Sequence, residues 1–300
     1  MAKDSDFNGR WNIVPHGEAR KRVWWLEVTG AGTPTVKGRF VGAPGGDMND
    51  VPEIAVKDGT LRFVFERNYA GPSAGKQKGV YTAAVRDGEL RGEFRVEGRP
   101  ESKLTFTGKR APVIQDREDG KWKKGKPVEL FNGKDLSNWS AMIAGRELGW
   151  KVENGIMTNR AGANNLVSAE KFRNFELHGE FRIGKGSNGG LGLRGRYEVQ
   201  IIDDYGKPPG THGTGALYSR IPPSVNASKP PGEWNTYDIR LVGRTVTIVV
   251  NGKTVIDKGE VEGLTAMAHD ADEAAPGPIS VQGDHGSVEI RKLTVTPLTR

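Results

Sequence analysis

Asp-Gly or Asn-Gly pairs recur along the chain at 58–59, 87–88, 132–133, 154–155 and 251–252, each between short runs of alternating apolar and polar residues. A two-residue type I′ hairpin needs positive φ at both central positions, and these pairs supply it at least steric cost. The chain therefore reads as antiparallel β-structure throughout. With 42 glycines in 300 residues, a long helical period finds no room. At roughly 100–200 residues per domain, this length predicts two domains. No run approaches the roughly 18 apolar residues of a spanning helix, so membrane insertion is not expected. Cysteine is absent, which excludes disulfides, thiolate metal sites and cysteine nucleophiles.

Residues 7–110 predict eight strands, near 9–14, 23–29, 35–41, 51–57, 60–66, 79–85, 89–95 and 103–108. Sequential strands with tight turns favour a small up-and-down antiparallel barrel. The opening Gly9-Arg10-Trp11 resembles the G-x-W start of lipocalin-like barrels, and Arg110 falls where such barrels lay an arginine over that tryptophan. Residues 111–127 are polar, aperiodic and end at Pro127, and read as a linker. Residues 128–300 then carry strands with long Gly/Pro loops, the pattern of two packed antiparallel sheets. The net charge of +7 is spread as +5 over residues 1–115 and +2 over 116–300, and no nucleic-acid motif accompanies it, so no nucleic-acid partner is expected.

Within 128–300 several segments carry a family resemblance. They are Glu129-Leu130-Phe131-Asn132-Gly133-Lys134-Asp135-Leu136 with Trp139, Trp150-Lys151-Val152 with Asn154-Gly155, and Gly186-Ser187-Asn188-Gly189-Gly190. Further along come the stretch Leu193–Ile201, Pro231-Gly232-Glu233-Trp234-Asn235-Thr236-Tyr237, and the stretch Gly277–Gly286. In this order they resemble the 3-keto-disaccharide hydrolase family. The resemblance implies an all-β concanavalin A-like jelly-roll sandwich following the barrel. It also implies a hydrolase or lyase for glycosides oxidised at C3, with a separate sugar 3-dehydrogenase supplying the ketone. The segment Leu264-Thr265-Ala266-Met267-Ala268-His269 departs from the family, where a Gly-rich loop is expected.

Read as one strand, residues 193–204 place Leu193, Tyr197, Val199 and Ile201 on an apolar face and Arg194, Arg196, Glu198 and Gln200 on a polar one. After Glu198 the same face offers Gln200 and Ile202, so the second carboxylate of a conventional glycosidase is missing. A 3-keto sugar needs less: one base for the acidified C2 proton and one group to hold the enolate. Glu198 or His285 is the candidate base, and Arg194 or a bound cation the enolate holder. Arg196, Gln200, Trp234 and Gln282 are candidate substrate-binding residues. Glu198, Asp203, Asp204 and His285 are donors a divalent cation accepts. The absence of a dinucleotide fingerprint argues against nicotinamide or flavin. Two rival readings stay open, a lectin-like carbohydrate-binding protein and a conventional glycoside hydrolase. The start Met1-Ala2-Lys3-Asp4 shows no leader, which leaves the compartment open between the periplasm or exterior, with a leader removed, and the cytoplasm.

Overall fold

The protein is described by a computed structural model covering residues 3–19, 21–42, 45–71, 73 and 75–300. It divides into two compact units, Met1–Pro112 with Gly263–Asp272, and Val113–Glu262 with Glu273–Arg300.

In the first unit a 3-10 turn, Asp4–Phe7, precedes nine strands: β1 (Gly9–His16), β2 (Trp24–Thr29), β3 (Lys37–Val41), β4 (Asn49–Asp50), β5 (Glu53–Lys57), β6 (Thr60–Arg67), β7 (Gln77–Arg86), β8 (Glu89–Val96) and β9 (Arg99–Arg110). They form one antiparallel sheet in the order β4-β3-β2-β1-β9-β8-β7-β6-β5, so the last strand returns to the first. The strand expected over 51–57 starts only at Glu53, as β5, with the short β4 ending at Asp50 before Pro52. Pro52 has no N–H for a ladder, and β4 bonds to β3 while β5 bonds to β6. Trp11 lies opposite Arg110, whose guanidinium sits 3.9 Å over the indole and donates to the carbonyls of Asp6 and Asn8.

The interior of this barrel-like sheet is filled by aromatic side chains. Trp24 meets Phe40, Tyr81, Phe94 and Phe106 edge-on at centroid distances of 6.0, 5.8, 6.3 and 5.8 Å. Aromatic side chains thus occupy the space that a ligand-carrying barrel would leave open. The segment 263–272 belongs to this unit. The Val23 N–H donates to the Ala268 carbonyl at 2.9 Å, and Asn12 Nδ2 to the Ala271 carbonyl at 3.0 Å. At Gly263, a Cβ would fall 2.2 Å from Trp25 Nε1, so only glycine admits that approach. Leu264, Met267 and Ala268 are buried, which explains the apolar run that replaces a Gly-rich loop.

The second unit contains β10 (Lys123–Lys124), β11 (Val128–Glu129), β12 (Trp139–Ala141), β13 (Trp150–Glu153), β14 (Ile156–Asn159), β15 (Leu166–Phe172), β16 (Phe175–Ile183), β17 (Asn188–Leu193), β18 (Tyr197–Ile202), β19 (Asn235–Val242), β20 (Thr245–Val250), β21 (Lys253–Glu260), β22 (Gly277–Val281) and β23 (Val288–Thr299). A large sheet runs β13-β14-β23-β16-β19-β20-β21, with β10 and β11 also pairing β23. A small sheet runs β12-β15-β22-β17-β18. Their facing sides supply the core: Leu177, Phe181, Ile239, Ile248 and Val295 from the large sheet, and Leu166, Leu191, Val199 and Val281 from the small one. Tyr237 of β19 reaches across to donate its hydroxyl to the Gln200 carbonyl on β18. The two sheets make the jelly-roll sandwich.

Residues expected to be a free linker are instead fastened to this unit. Asp116 accepts from Arg173 and Asn174, Glu118 from Arg240, and β10 extends the large sheet. The acidic residues of this polar stretch meet arginines on the sandwich, which composition alone does not reveal.

Four of the five Asp/Asn-Gly pairs named above have positive φ at both residues and close hairpins. Asn132-Gly133 does not: Asn132 Oδ1 accepts from the N–H groups of Lys134 and Asp135 in a side-chain-closed turn. Asp135 is pulled down to about 2, first by the Ser137 side chain and then by Asn132. A folded-state value below the ordinary 3.8 gives stability that is present above pH 3.8 and lost as pH falls towards 2. Asp135→Asn is therefore expected to flatten the acid limb of the stability curve in that window, read by urea unfolding at stepped pH. In the barrel, Trp24→Ala is expected to cost about 3–5 kcal/mol, the range for truncating a core aromatic, measured by chemical denaturation.

Candidate active site

The pairing register of the small sheet lays its residues in cross-strand rows. In one row Val167, Ser280, Gly192 and Glu198 stand side by side on β15, β22, β17 and β18. In the next, Gln200 pairs with Gly190, whose carbonyl accepts from the Gln282 N–H at 2.9 Å. Asn165 completes that row, its Oδ1 accepting from the Gly283 and Asp284 N–H groups at 2.8 and 3.1 Å. The alternate residues Leu166, Val281, Leu191 and Val199 turn into the sandwich core, so these two rows form the opposite, polar face.

Both rows place glycine on β17. The face therefore has a floor without side chains at Gly190 and Gly192, between Glu198 and Gln200 on one side and Ser280 and Gln282 on the other. Adjacent strands lie about 4.8 Å apart, so the flanking strands β18 and β22 are separated by ~10 Å. Glu198 leans over this floor. A Cβ at Gly190 would lie 3.0 Å from its Oε1 and 3.2 Å from its Cγ. Glu198, Gln200, Ser280 and Gln282 are all buried, at 2%, 2%, 0% and 5% exposure. The rows contain one carboxylate, Glu198.

Arg194 is a correction. Residues 193–204 are not one strand: Arg194 and Gly195 have φ of 56° and 67°, a tight turn linking β17 to β18. The pleat does not continue through it. The Arg194 guanidinium is buried and donates to the Gly243 carbonyl at 2.9 Å and to Asn174 Oδ1 at 3.1 Å. Burial holds its pKa down to about 10. It pins loops and does not share the Glu198 face. Arg196, fully buried, donates to the Ala275 carbonyl at 2.9 Å. Beside it the Tyr197 hydroxyl donates to Glu273 at 2.7 Å, and Arg244 grips the same carboxylate at 2.7 and 3.0 Å. Burial, reinforced by Glu273, raises the Tyr197 hydroxyl above the ordinary tyrosine range. These contacts lock the start of β18.

Trp234 is a second correction. It lies at the entrance to β19, in the large sheet, with Arg182 and Arg291 4.7 and 4.4 Å from its ring. It therefore belongs neither to the Glu198 face nor to the core. His285 is exposed in the loop after β22, with Asp284 as its side-chain partner at 2.8 Å. Asp203 Oδ2 accepts from the Gly186 N–H at 2.7 Å, and Asp204 Oδ2 from the Thr214 N–H at 2.8 Å. The four candidate cation donors are thus not gathered. Among the described residues no group of three His, Asp or Glu side chains is placed to hold a metal ion. Ser280 and the glycine floor escaped the sequence reading. The period-two spacing of Gly190 and Gly192, and of Ser280 and Gln282, is the signal that carries them.

The geometry defines a concanavalin A-like sandwich with one buried carboxylate on a glycine-floored polar face. The chain belongs to the family described as the 3-keto-alpha-glucoside-1,2-lyase-like domain, matched over residues 126–296. It is similar to a 3-keto-disaccharide hydrolase of Bacteroides thetaiotaomicron, 26% identical over 166 residues, covering 43% of this chain and 57% of that protein. The chain thus spans little more than half the length of that curated relative. It is also similar to a solved protein of Parabacteroides distasonis, provisionally described as a glycosyl hydrolase, with 28% identity and a TM-score of 0.50, covering 62% of this chain and 92% of that one.

Two outcomes follow from the geometry. Arg194→Met removes two hydrogen bonds from a buried cation and is expected to cost about 2–4 kcal/mol in denaturant unfolding, with turnover per folded molecule retained. Gly190→Ala, whose new methyl meets Glu198, is expected to leave the unfolding midpoint nearly unchanged while displacing the carboxylate. Its turnover should fall at least tenfold, measured beside wild type.

Proposed function

We propose that the protein cleaves the glycosidic C–O bond of 3-keto-glycosides by elimination through an enolate, with net hydrolysis when water adds back. The observation that carries this reading is that, among the described residues, the two cross-strand rows over β17 contain one carboxylate, Glu198. Conventional glycosidases use two carboxylates about 5–10 Å apart to support an oxocarbenium-like state. Here Gln200 and Ile202 follow Glu198 on β18, while Asp203 and Asp204 are bonded to loop N–H groups. A ketone at C3 removes the need for a second acid.

In this mechanism Glu198 takes the C2 proton. The electron pair passes through C2 and C3 onto the carbonyl oxygen, giving an enolate. Its return expels the C1 oxygen, which takes a proton from water, and leaves an enone across C1, C2 and C3. Water adding at C1, with a proton restored at C2, completes the hydrolysis. Glu198 is favoured over His285 as base because it lies over the glycine floor, whereas His285 is exposed in a loop. The ketone comes from a separate sugar 3-dehydrogenase, since the chain carries no dinucleotide fingerprint. Family membership and the similarity to a 3-keto-disaccharide hydrolase support the substrate class.

Incubating the protein in deuterated water with a 3-keto-glucoside and with its unoxidised parent tests this. Cleavage of the keto sugar with deuterium entering at C2, and an inert parent, is the expected result. Glu198→Gln should lower the rate by about two orders of magnitude or more with the fold intact. Cleavage of the parent with no deuterium at C2 would restore conventional hydrolysis, and binding of the sugar without any turnover would leave a lectin-like protein.

A further inference from the structure

The enolate requires a partner that the withdrawal of Arg194 leaves open, and the small sheet supplies one. Gln200 and Gln282 occupy the same cross-strand row, on either side of Gly190, with 2% and 5% of their surface exposed. Oε1 of each is buried without a hydrogen-bond partner among the described residues, as is Ser280 Oγ in the adjoining row. An unmet buried polar atom costs about 1–3 kcal/mol, and native structures keep few of them. Two such carboxamides stand on either side of a glycine, beside the Glu198 carboxylate. A carboxamide turned by 180° exchanges its oxygen for an NH2 in the same volume, so each can present a donor on the face that carries Glu198.

Resting on the function proposed above, we infer that Gln200 and Gln282 are the oxyanion donors of the reaction, holding the C3 oxygen as it becomes an enolate. The chemistry demands that the base and this donor pair serve adjacent carbons. Glu198 and Gln200 are two residues apart on one strand face, about 6.6 Å along the strand, within which both side chains reach a common ring. Glu198 takes the proton from C2 while the amide N–H groups receive the charge that develops at O3. No proton passes to or from the amides. Neutral donors in a buried setting stabilise developing charge without neutralising Glu198, which a nearby fixed cation would make a weaker base.

Gln200→Met and Gln282→Met remove the donors at nearly constant volume, and Gln200→Asn and Gln282→Asn retain a carboxamide but retract it by one methylene. Each is compared with wild type, as the full chain, for turnover of a 3-keto-glucoside, for exchange of its C2 proton with deuterated water, and for calorimetric binding of the unoxidised parent glucoside. The expected result is a loss of about 10²–10³ in kcat, an equal slowing of exchange, and binding of the parent within twofold of wild type. The parent carries no ketone, so a residue that merely reads hydroxyl groups would weaken its binding as much as turnover. That result, or wild-type exchange rates in the folded variants, would overturn the assignment. Should a Met variant fail to fold, its Asn counterpart gives the same reading. Absence of turnover by the wild-type protein on any 3-keto-glycoside would overturn the functional reading itself, whereas active wild type with unaffected variants overturns the oxyanion pair alone.

Discussion

The site depends on burying both faces of β18. A strand in a sandwich ordinarily sends one face to the core and the other to water. Here Tyr197, Val199 and Ile201 fill the core, and Glu198 and Gln200 are buried as well. Removing a carboxylate and a carboxamide from water is costly, and the surrounding structure is arranged around that cost. Glycine at 190 and 192 makes room for the side chains. The Tyr197–Glu273–Arg244 cluster and the Arg196–Ala275 contact fix the approach to the strand, and Tyr237 ties its middle to the opposite sheet. A base held this way keeps its position without help from solvent.

Much of the β-architecture was legible because it is written in local chemistry. Positive φ at Asp58, Asp87, Asn154 and Asn251, each followed by glycine, is a short-range demand that a dipeptide can satisfy. The alternation at 197–201 follows from the pleat alone, which is why Glu198 and Gln200 emerged together. The same rules mislead where a local exception goes unnoticed. Arg194-Gly195 also has positive φ at both residues, in a three-residue connection between Leu193 and Tyr197, with arginine in the left-handed position that Asn or Asp usually takes. Without an Asn or Asp to signal it, the alternation was carried three residues too far, and a loop-pinning arginine was set on the polar face.

Trp234 shows the complementary lesson. Its parity with Thr236, Asp238 and Arg240 places it on the polar side of β19, opposite Tyr237, Ile239 and Leu241. That much was readable. Which sheet β19 joins was not, because sheet membership is a long-range property: β19 pairs β16 and β20, while β18 pairs β17. The attachment of 113–127 to the sandwich and of 263–272 to the barrel unit was hidden for the same reason. Each rests on partners more than forty residues away, such as Asp116 with Arg173 and Val23 with Ala268.

The contrast between Arg194 and the two glutamines bears on how a small sheet can support enolate chemistry. A guanidinium beside Glu198 would hold its carboxylate below the usual range and make it a poorer base for a C–H proton. The hairpin turn instead directs that charge towards Gly243 and Asn174. Within the two rows the side chains beside Glu198 are neutral, so charge arriving at a substrate oxygen meets dipoles already in place. The unpartnered amide oxygens lower the stability of the empty fold, and turning each carboxamide to present its NH2 to a ketone oxygen gives the pair a partner. On this account the strain of the empty site and the selection of a ketone-bearing sugar have one origin, the two carboxamides that the glycine floor keeps apart.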